Sequence, residues 1–497
     1  MDNFNFKDLF IFEMANNHQG DVAHGISIIK EMGKIAKKHN VRAAVKLQYR
    51  QLDTFIHPDY RNDTKAKHIS RFLSTELDPS QFLELVKAIK AEGMYSMCTP
   101  FDEESVDLIL QHEIDIIKIA SCSADDWPLL NKIVGTNKTI ISSTGGLSML
   151  EIDNLFSFLT TRSSNFAILH CVGIYPSPNE TLNLNFISKL KIRYPSITIG
   201  YSGHEKPDNY DVVKVALSKG AEIFERHVGV PTDTITLNGY SMNPKETDKW
   251  IEAALIAKEI LGNDKVVTKD EADSLLSLKR GVFAKRAIKK GKVIKSEDVF
   301  FAMPCKEGQL TSSDFGKLRA YYVASANYGV NESIFEKVVT DKYHNLRTII
   351  HEAKGMLNEA GIVLNEKAEI ELSHHYGIDR FNEAGILIVS LVNKEYCKKI
   401  IVVFPGQNHP EQYHIKKEET FHILSGELLV TLNGIEFTAL KGGIFTIDRG
   451  VKHAFSSKKG AIIEEISTTH FRNDSYYTDP LISQQDPMTR KTVIEKF

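Results

Sequence analysis

Residues 79–120 read PSQFLELVKAIKAEGMYSMCTPFDEESVDLILQHEIDIIKIA, and two periods alternate within them. Pro79–Glu92 and Glu104–Gln111 repeat apolar residues every three to four positions, as amphipathic helices do, while Tyr95–Cys98 and Ile116–Ala120 are short apolar runs of strand length. Strands separated by helices run parallel, because a parallel pair needs a long crossover. Outward from this stretch the pattern continues. Further strands are expected at Leu9–Met14, Ala43–Leu47, Thr139–Ser142, Phe166–Cys171, Ile197–Tyr201 and Ile223–His227. Helical stretches such as Ile26–His39, Met149–Leu159 and Asn209–Lys219 lie between them. Eight such strands in about 250 residues imply an α/β fold, a (β/α)8 barrel. An open doubly wound sheet is the alternative, but no glycine-rich dinucleotide fingerprint follows the first strand.

A barrel of this kind carries its chemistry at the C-terminal ends of its strands. Polar side chains fall at those ends: Glu13, Lys46 and Gln48, Thr99 and Asp102, Lys118 and Ser121, Ser143 and Thr144, His170 and Tyr175, Ser202 and His204, Glu225 and His227. Two lysines, several hydroxyls and the Gly145 turn suit a small phosphorylated anion, with lysine as point charge and hydroxyls and amides as directional donors. His204 and His227, with Glu13, offer a mixed imidazole–carboxylate set for a divalent cation of the manganese type. Each residue alone also has a plain structural reading, a buried ion pair or a satisfied core histidine; it is their convergence on eight strand ends that points to a site.

The whole chain has 497 residues and a formal charge of −3. That length suggests roughly three domains. Near-neutral charge without a long basic block argues against nucleic acid as a partner. No apolar stretch reaches membrane-span length, and the polar start Met1–Phe10 does not read as a signal peptide. Five scattered cysteines without metal-type spacing fit a reducing cytoplasm. Cys98 and Cys122 sit by strand ends without a histidine partner in sequence, which favours packing over nucleophilic use.

Three domains are expected, at 1–265, 279–340 and 362–472. The middle one reads as short strands and turns, with KRGVFAKRAIKKGKVIKSEDV (279–299) echoed by VASANYGVNESI (323–334). A helix-rich connector over Asp341–Ala360 follows. The third domain is all-β, with strands including Gly385–Val392, Lys399–Phe404, Thr420–Ile423, Glu427–Leu432 and Gly460–Thr468 and turns at Ser425-Gly426 and Asn433-Gly434. The polar tail after Tyr477 is expected to be extended or loosely docked.

The motifs IFEMANNHQGD (11–21), VKLQ (45–48), CTPFD (98–102), IKIAS (117–121), SSTGG (142–146), LHCVGIYPSP (169–178), GYSGH (200–204) and ERHVG (225–229) together resemble the sialic acid synthase (N-acetylneuraminate synthase) family across the whole barrel, in order. The resemblance implies an enzyme, a transferase of class EC 2.5.1 that joins phosphoenolpyruvate to an open-chain N-acyl sugar aldehyde and releases phosphate. It implies that Lys46, Thr99, Lys118, Ser121 and Ser143, with Gln48 nearby, hold phosphoenolpyruvate. It implies that His204 and His227 bind Mn2+ or Mg2+, that Glu13 handles protons or the attacking water, and that Tyr175 lines the sugar site. In that chemistry enolpyruvate C3 attacks the metal-polarised aldehyde, water captures the oxocarbenium ion at C2, and phosphate departs.

The chain also departs from the family. Gly173 stands where Asn or Ser is usual, Gly203 where Asp usually precedes the first metal histidine, and VGVPTDTITLNGYSMNP (228–244) lacks the acidic sugar contact near Leu237. Ser202, Asn238, Tyr240 and Ser241 are then the candidate sugar contacts, and the acceptor need not be N-acetylmannosamine. The middle domain resembles the antifreeze-like (SAF) domain of these synthases. This implies a domain-swapped homodimer in which the domain caps a partner's site. Its loop MPCKEGQLT (303–311) lacks the family arginine and leaves Lys306 and Gln309 as the candidates to reach substrate.

GQNHPEQYHIKKEETFHILSGELLVTLNG (406–434) and KGGIFTIDRGVKHAF (441–455) resemble the two cupin motifs, a jelly roll holding one divalent ion on His414, Glu419 and His453. The family's first histidine is Gln412 here; His409 and His422 are the possible replacements, and a metal-free cupin used for sugar binding or dimer contacts is the other reading. His374, His375, Tyr376 and Arg380 sit just upstream with no assigned site. Three other functions remain: a Schiff-base lyase on Lys118, a non-catalytic sugar-binding protein, and a bifunctional chain whose cupin is a sugar isomerase or epimerase.

Overall fold

In the computed structural model, residues 4–61, 68–163, 165–262, 265–315, 320–337, 339–340, 342–364, 368–471, 473–487 and 489–494 are described. They form two compact units, 1–265 and 266–497.

The first unit is a closed barrel of eight parallel strands in chain order: β1 (Leu9–Glu13), β2 (Arg42–Tyr49), β3 (Tyr95–Pro100), β4 (Ile116–Ile119), β5 (Thr139–Ser143), β6 (Phe166–Cys171), β7 (Thr198–Gly203) and β8 (Ile223–His227). β8 returns to β1, so that Glu13 lies opposite Lys46 on one side and His227 on the other. Alternate residues of a strand face the same way. Inside the barrel, Leu9, Ile11, Ala44, Met97, Ile116, Ile141, Leu169 and Ile223 form one apolar cluster, with Phe6 beneath. The next inward position on each strand is Glu13, Lys46, Thr99, Lys118, Ser143, Cys171, Ser202 and Glu225. The barrel is thus packed apolar below and polar at its upper rim. A second core joins the outer strand faces to the helices, through residues such as Ile28, Leu85, Ile109, Leu155 and Trp250.

Helix starts are fixed locally. Asp78 and Ser148 each form a capping box with Gln81 and Glu151. Asp102 caps the helix Glu103–Gln111 by accepting from Ser105 N at 2.7 Å and also accepts from Gln51 N at 2.9 Å. This strand-end carboxylate therefore builds the loop.

The second unit begins with helix Lys269–Leu278 and a set of short strands. Gly281–Ala284 pairs with Val299–Ala302, and Val293–Ile294 with Ala320–Val323, around a core of Val282, Ile288, Ile294, Leu310, Tyr322 and Ile334. The two echoing segments meet where Ile288 and Tyr328 exchange both backbone bonds. Buried Asp298 accepts from Arg286 and Lys292, so part of the lysine-rich run is a structural clasp.

Helix Lys342–Glu359 presents Leu346, Ile349, Ala353 and Leu357 to one face of a large antiparallel sheet. The sheet's other face encloses a second core of Ile401, Val403, Phe421, Ile423, Leu428, Val430 and Phe455, as in a cupin jelly roll. Two expectations change here. Thr420–Ile423 and Glu427–Leu432 belong to one strand, Glu419–Leu432, whose register shifts between Ile423 and Ser425. The Ser425-Gly426 pair is therefore a bulge. Gly426 has φ +77°, and a Cβ there would lie 2.2 Å from Gly460 O. Asn433-Gly434, both at positive φ, makes the expected hairpin turn. The tail after Tyr477 is not loose: Lys491–Ile494 pairs with Glu369–His374 and closes that sheet edge.

Candidate active site and a second polar centre

A cavity of about 1840 Å3 opens at the polar rim of the barrel. Glu13, Lys46, Gln48, Thr99, Lys118, Ser121, Ser143, Tyr175, Ser202, His204, His227, Asn238 and Tyr240 all line it. Four charges form its floor. Lys46 Nζ is 2.5 Å from Glu13 Oε2 and 2.8 Å from Glu225 Oε1. Lys118 Nζ donates to Ser143 Oγ at 2.6 Å and lies 3.9 Å from Glu225 Oε1, which also accepts from Ser202 Oγ at 2.7 Å. Ser121 Oγ accepts from Gly145 N at 2.9 Å; a Cβ on Gly145 would stand 2.9 Å from that oxygen. A side chain at Gly145 would crowd the hydroxyl that takes this amide.

Burial sets the charges against one another. It would raise Glu225, but Lys118 and Lys46 outweigh it and hold the carboxyl down to about 2. It would lower Lys46, but Glu13 and Glu225 keep it above its ordinary value. Burial pushes Lys118 down to about 8 against the pull of Glu225, and it lifts Glu13 above the ordinary carboxylate range against Lys46. Two acids and two bases nearly cancel, so an anionic substrate needs further cations. Arg50 supplies one: it lines the cavity, donates to Gln48 Oε1 at 2.9 Å and stacks 3.7 Å above Phe101. Its Nε is buried without a partner. Arg50 was missed by the sequence reading, as was Glu225's place as the hub of both lysines. The signal was there for Arg50, since positions 46, 48 and 50 share one side of β2 and its exit.

Across the rim, His204 Nδ1 donates to Val172 O at 3.0 Å, which leaves Nε2 free, and its ring centre is 5.4 Å from that of His227. Burial keeps His204 down near 4 and, with His204 beside it, holds His227 well below its ordinary value. Two neutral imidazoles, one already oriented by a carbonyl, fit a divalent ion. Glu13 does not join them as a third ligand: its oxygens serve Lys46 and Ala15 N, and among the described residues the only cluster of three or more potential ligands is in the cupin. Tyr175 lies 4.1 Å from the His204 ring and 5.2 Å from Tyr240, which with Leu237 and Ile174 gives the cavity an aromatic and aliphatic wall. No atom lies within 4 Å of a Cβ placed on Gly173, whereas one on Gly203 would stand 2.3 Å from Glu205 Oε2. Glu205 therefore fills the room of the missing Asp side chain and pairs with buried Arg226.

Two expected contacts are placed elsewhere. Ser241 is buried, and its hydroxyl accepts from Asn17 Nδ2 at 3.1 Å; it does not line the cavity. Gln309 is buried inside the small domain, where its amide donates to Val282 O at 2.8 Å and accepts from Lys306 N at 2.9 Å. Both polar atoms of its amide are thus engaged within its own domain. Lys306 remains exposed.

Residues 34–266 match the NeuB family and residues 399–463 the cupin domain. The solved structure of spore coat polysaccharide biosynthesis protein E from Chromobacterium violaceum is 44% identical, with a TM-score of 0.63 over 66% of this chain and 98% of that one. The chain belongs to the NeuB family. An uncharacterized protein of Methanocaldococcus jannaschii is 30% identical over 59% of this chain and 84% of its own length. The N,N'-diacetyllegionaminic acid synthase of Campylobacter jejuni is 28% identical over 68% of this chain and 97% of its own. No helix among the described residues is long and apolar enough to cross a membrane.

In this NeuB-family chain the cupin holds a second polar centre. His414 Nε2 and His453 Nε2 each lie 3.5 Å from Glu419 Oε2. His414 Nδ1 donates to Asp474 O and His453 Nδ1 to Val451 O at 3.1 Å, so both inner nitrogens face the carboxylate. His414 Nε2 and Glu419 Oε2 are buried and unpartnered, as is Gln412 Oε1. Gln412 Nε2 is 3.3 Å from His453 Nε2; with the amide turned over, Oε1 would complete a four-atom donor set. Of the two suggested replacement histidines, His422 pairs with Glu464, while His409 lies outside the three-ligand cluster, its ring stacked on Phe455 at 4.6 Å and its Nδ1 buried without a partner.

Proposed function

We propose that the barrel condenses phosphoenolpyruvate with an open-chain N-acylated sugar aldehyde, giving a nonulosonic or related ulosonic acid and phosphate, as a transferase of class EC 2.5.1. The observation that carries this reading is the charge-paired rim of Lys46, Lys118, Glu13 and Glu225 in a large open cavity, beside two neutral histidines. Lys46, Lys118 and Arg50 would oppose the carboxylate and phosphate, with Thr99, Ser121, Ser143 and Gln48 as neutral donors. Glu13, lifted by burial, is suited to pass a proton to and from the attacking water. His204 and His227 would hold Mn2+ or Mg2+, which supplies Lewis-acid polarisation of the aldehyde oxygen. Tyr175, Tyr240 and Asn238 would face the sugar. The aromatic and aliphatic wall suits acyl methyl groups, and N,N'-diacetyllegionaminic acid synthase among the relatives is in keeping with an acylated acceptor.

We assign the domains as 1–265 for synthesis, 279–340 for the antifreeze-like part and 362–472 for the cupin, in a cytoplasmic homodimer with exchanged small domains. The cupin would hold a second divalent ion on His414, Glu419 and His453. The depressed Lys118 favours one other reading, a Schiff base with pyruvate. Phosphate release from phosphoenolpyruvate, measured with Mn2+ and a panel of N-acylated and plain aldoses, tests the proposal. Sugar-dependent release with a product heavier by a pyruvate unit is expected. Release without sugar, or borohydride trapping of pyruvate on Lys118, would replace it with the lyase.

A further inference from the structure

Beside the cupin's metal cluster lies a small cationic pocket that the synthase reading does not use. It is lined by His375, Asn473, Ser475, Tyr477, Pro487, Arg490 and Lys491, with no carboxylate among them, and its volume is about 30 Å3. Arg490 is 6% exposed and His375 2% exposed. Arg490 Nε and Nη1 and both ring nitrogens of His375 are buried without a hydrogen-bond partner. The guanidinium N–H groups and the one N–H of a neutral His375 ring are costly to leave unsatisfied, so the pocket is built for an acceptor. A single water needs about 10–15 Å3 of such space. The pocket thus holds roughly two water-sized oxygens, the number that a carboxylate presents.

The pocket and the metal cluster share a row of the sheet. Tyr477 stands opposite Gln412, and Gln412 opposite His453, across adjacent strands. Two strand spacings of about 4.8 Å each separate their backbones, and the Gln412 side chain, 3.3 Å from His453 Nε2, fills the row between them. We propose that the jelly roll carries a second ligand site, apart from the metal cluster, for a small carboxylate whose acid group sits on Arg490 and His375. This pocket stands on its own geometry and does not depend on the cupin metal reading given above.

Calorimetric titration of the full chain with acetate, and with its neutral counterpart acetamide, tests this. Acetate is expected to bind and acetamide not, with Arg490→Gln weakening acetate at least tenfold. Acetate held in the barrel would survive that change and so is read separately. His375→Gln, expected to weaken binding in the same direction, serves if Arg490→Gln does not fold. Equal acetate binding in wild type and both variants overturns the proposal, as does inorganic phosphate bound as tightly and with the same Arg490 dependence.

Discussion

The barrel rim and the cupin interior use nearly the same parts, two histidines, glutamates and lysines, to opposite ends. In the barrel the acids and bases neutralise one another around an open cavity of about 1840 Å3. In the cupin the lysine partner is drawn inward: Lys417 binds Glu419 and lies 3.0 Å from Glu465, leaving Glu419 Oε2 free between two imidazoles. Ion pairs that leave room for substrate suit turnover, and a closed donor set suits a held ion. The same side chains thus acquire different chemistry from their distance to open volume.

The largest test of this contrast is Lys46→Met. It strands buried Glu13 and leaves Glu225 to Lys118 and Ser202 alone, so denaturant unfolding should show a loss of about 3–5 kcal/mol in the barrel. Chelation-sensitive melting assigned to the cupin should be untouched. Lys118→Met keeps Lys46 beside both acids and removes one cation from the substrate, so phosphate release should fall about 10²–10³-fold with metal content unchanged. In the cupin, Gly426→Ala drives a Cβ against Gly460 O and should cost about 1–3 kcal/mol, read as a lower melting temperature without loss of synthase turnover. The gentlest test is pH. Lys118 is cationic below about 8 and neutral above it. Phosphoenolpyruvate affinity should therefore weaken as pH rises through that value, and Lys118→Arg should flatten the profile.

What was legible in the sequence follows the same divide. Barrel strands are continuous apolar runs whose last inward position is polar, so both the fold and the residues Lys46, Lys118, His204 and His227 could be read from strand ends. Ser241 and Gln309 misled because a polar residue in a loop looks the same whether it faces substrate or, as here, bonds Asn17 or Val282. Glu13 misled as a metal ligand because sequence does not tell which neighbour takes a carboxylate. In the cupin, a bulge at Gly426 and a turn have the same local signature, and only the register across Ala461 distinguishes them. Arg490 and Lys491 lie in a tail without apolar periodicity; they acquire a place only by pairing with Glu369–His374, more than a hundred residues away.

Phosphate release from phosphoenolpyruvate plus an N-acylated aldose, compared between His204→Ala and His414→Ala in the full chain, tests the central claim most directly. Loss of release in His204→Ala, with His414→Ala close to wild type, is the predicted result. Full release in His204→Ala, or its loss only in His414→Ala, would contradict the placement of the chemistry in the barrel.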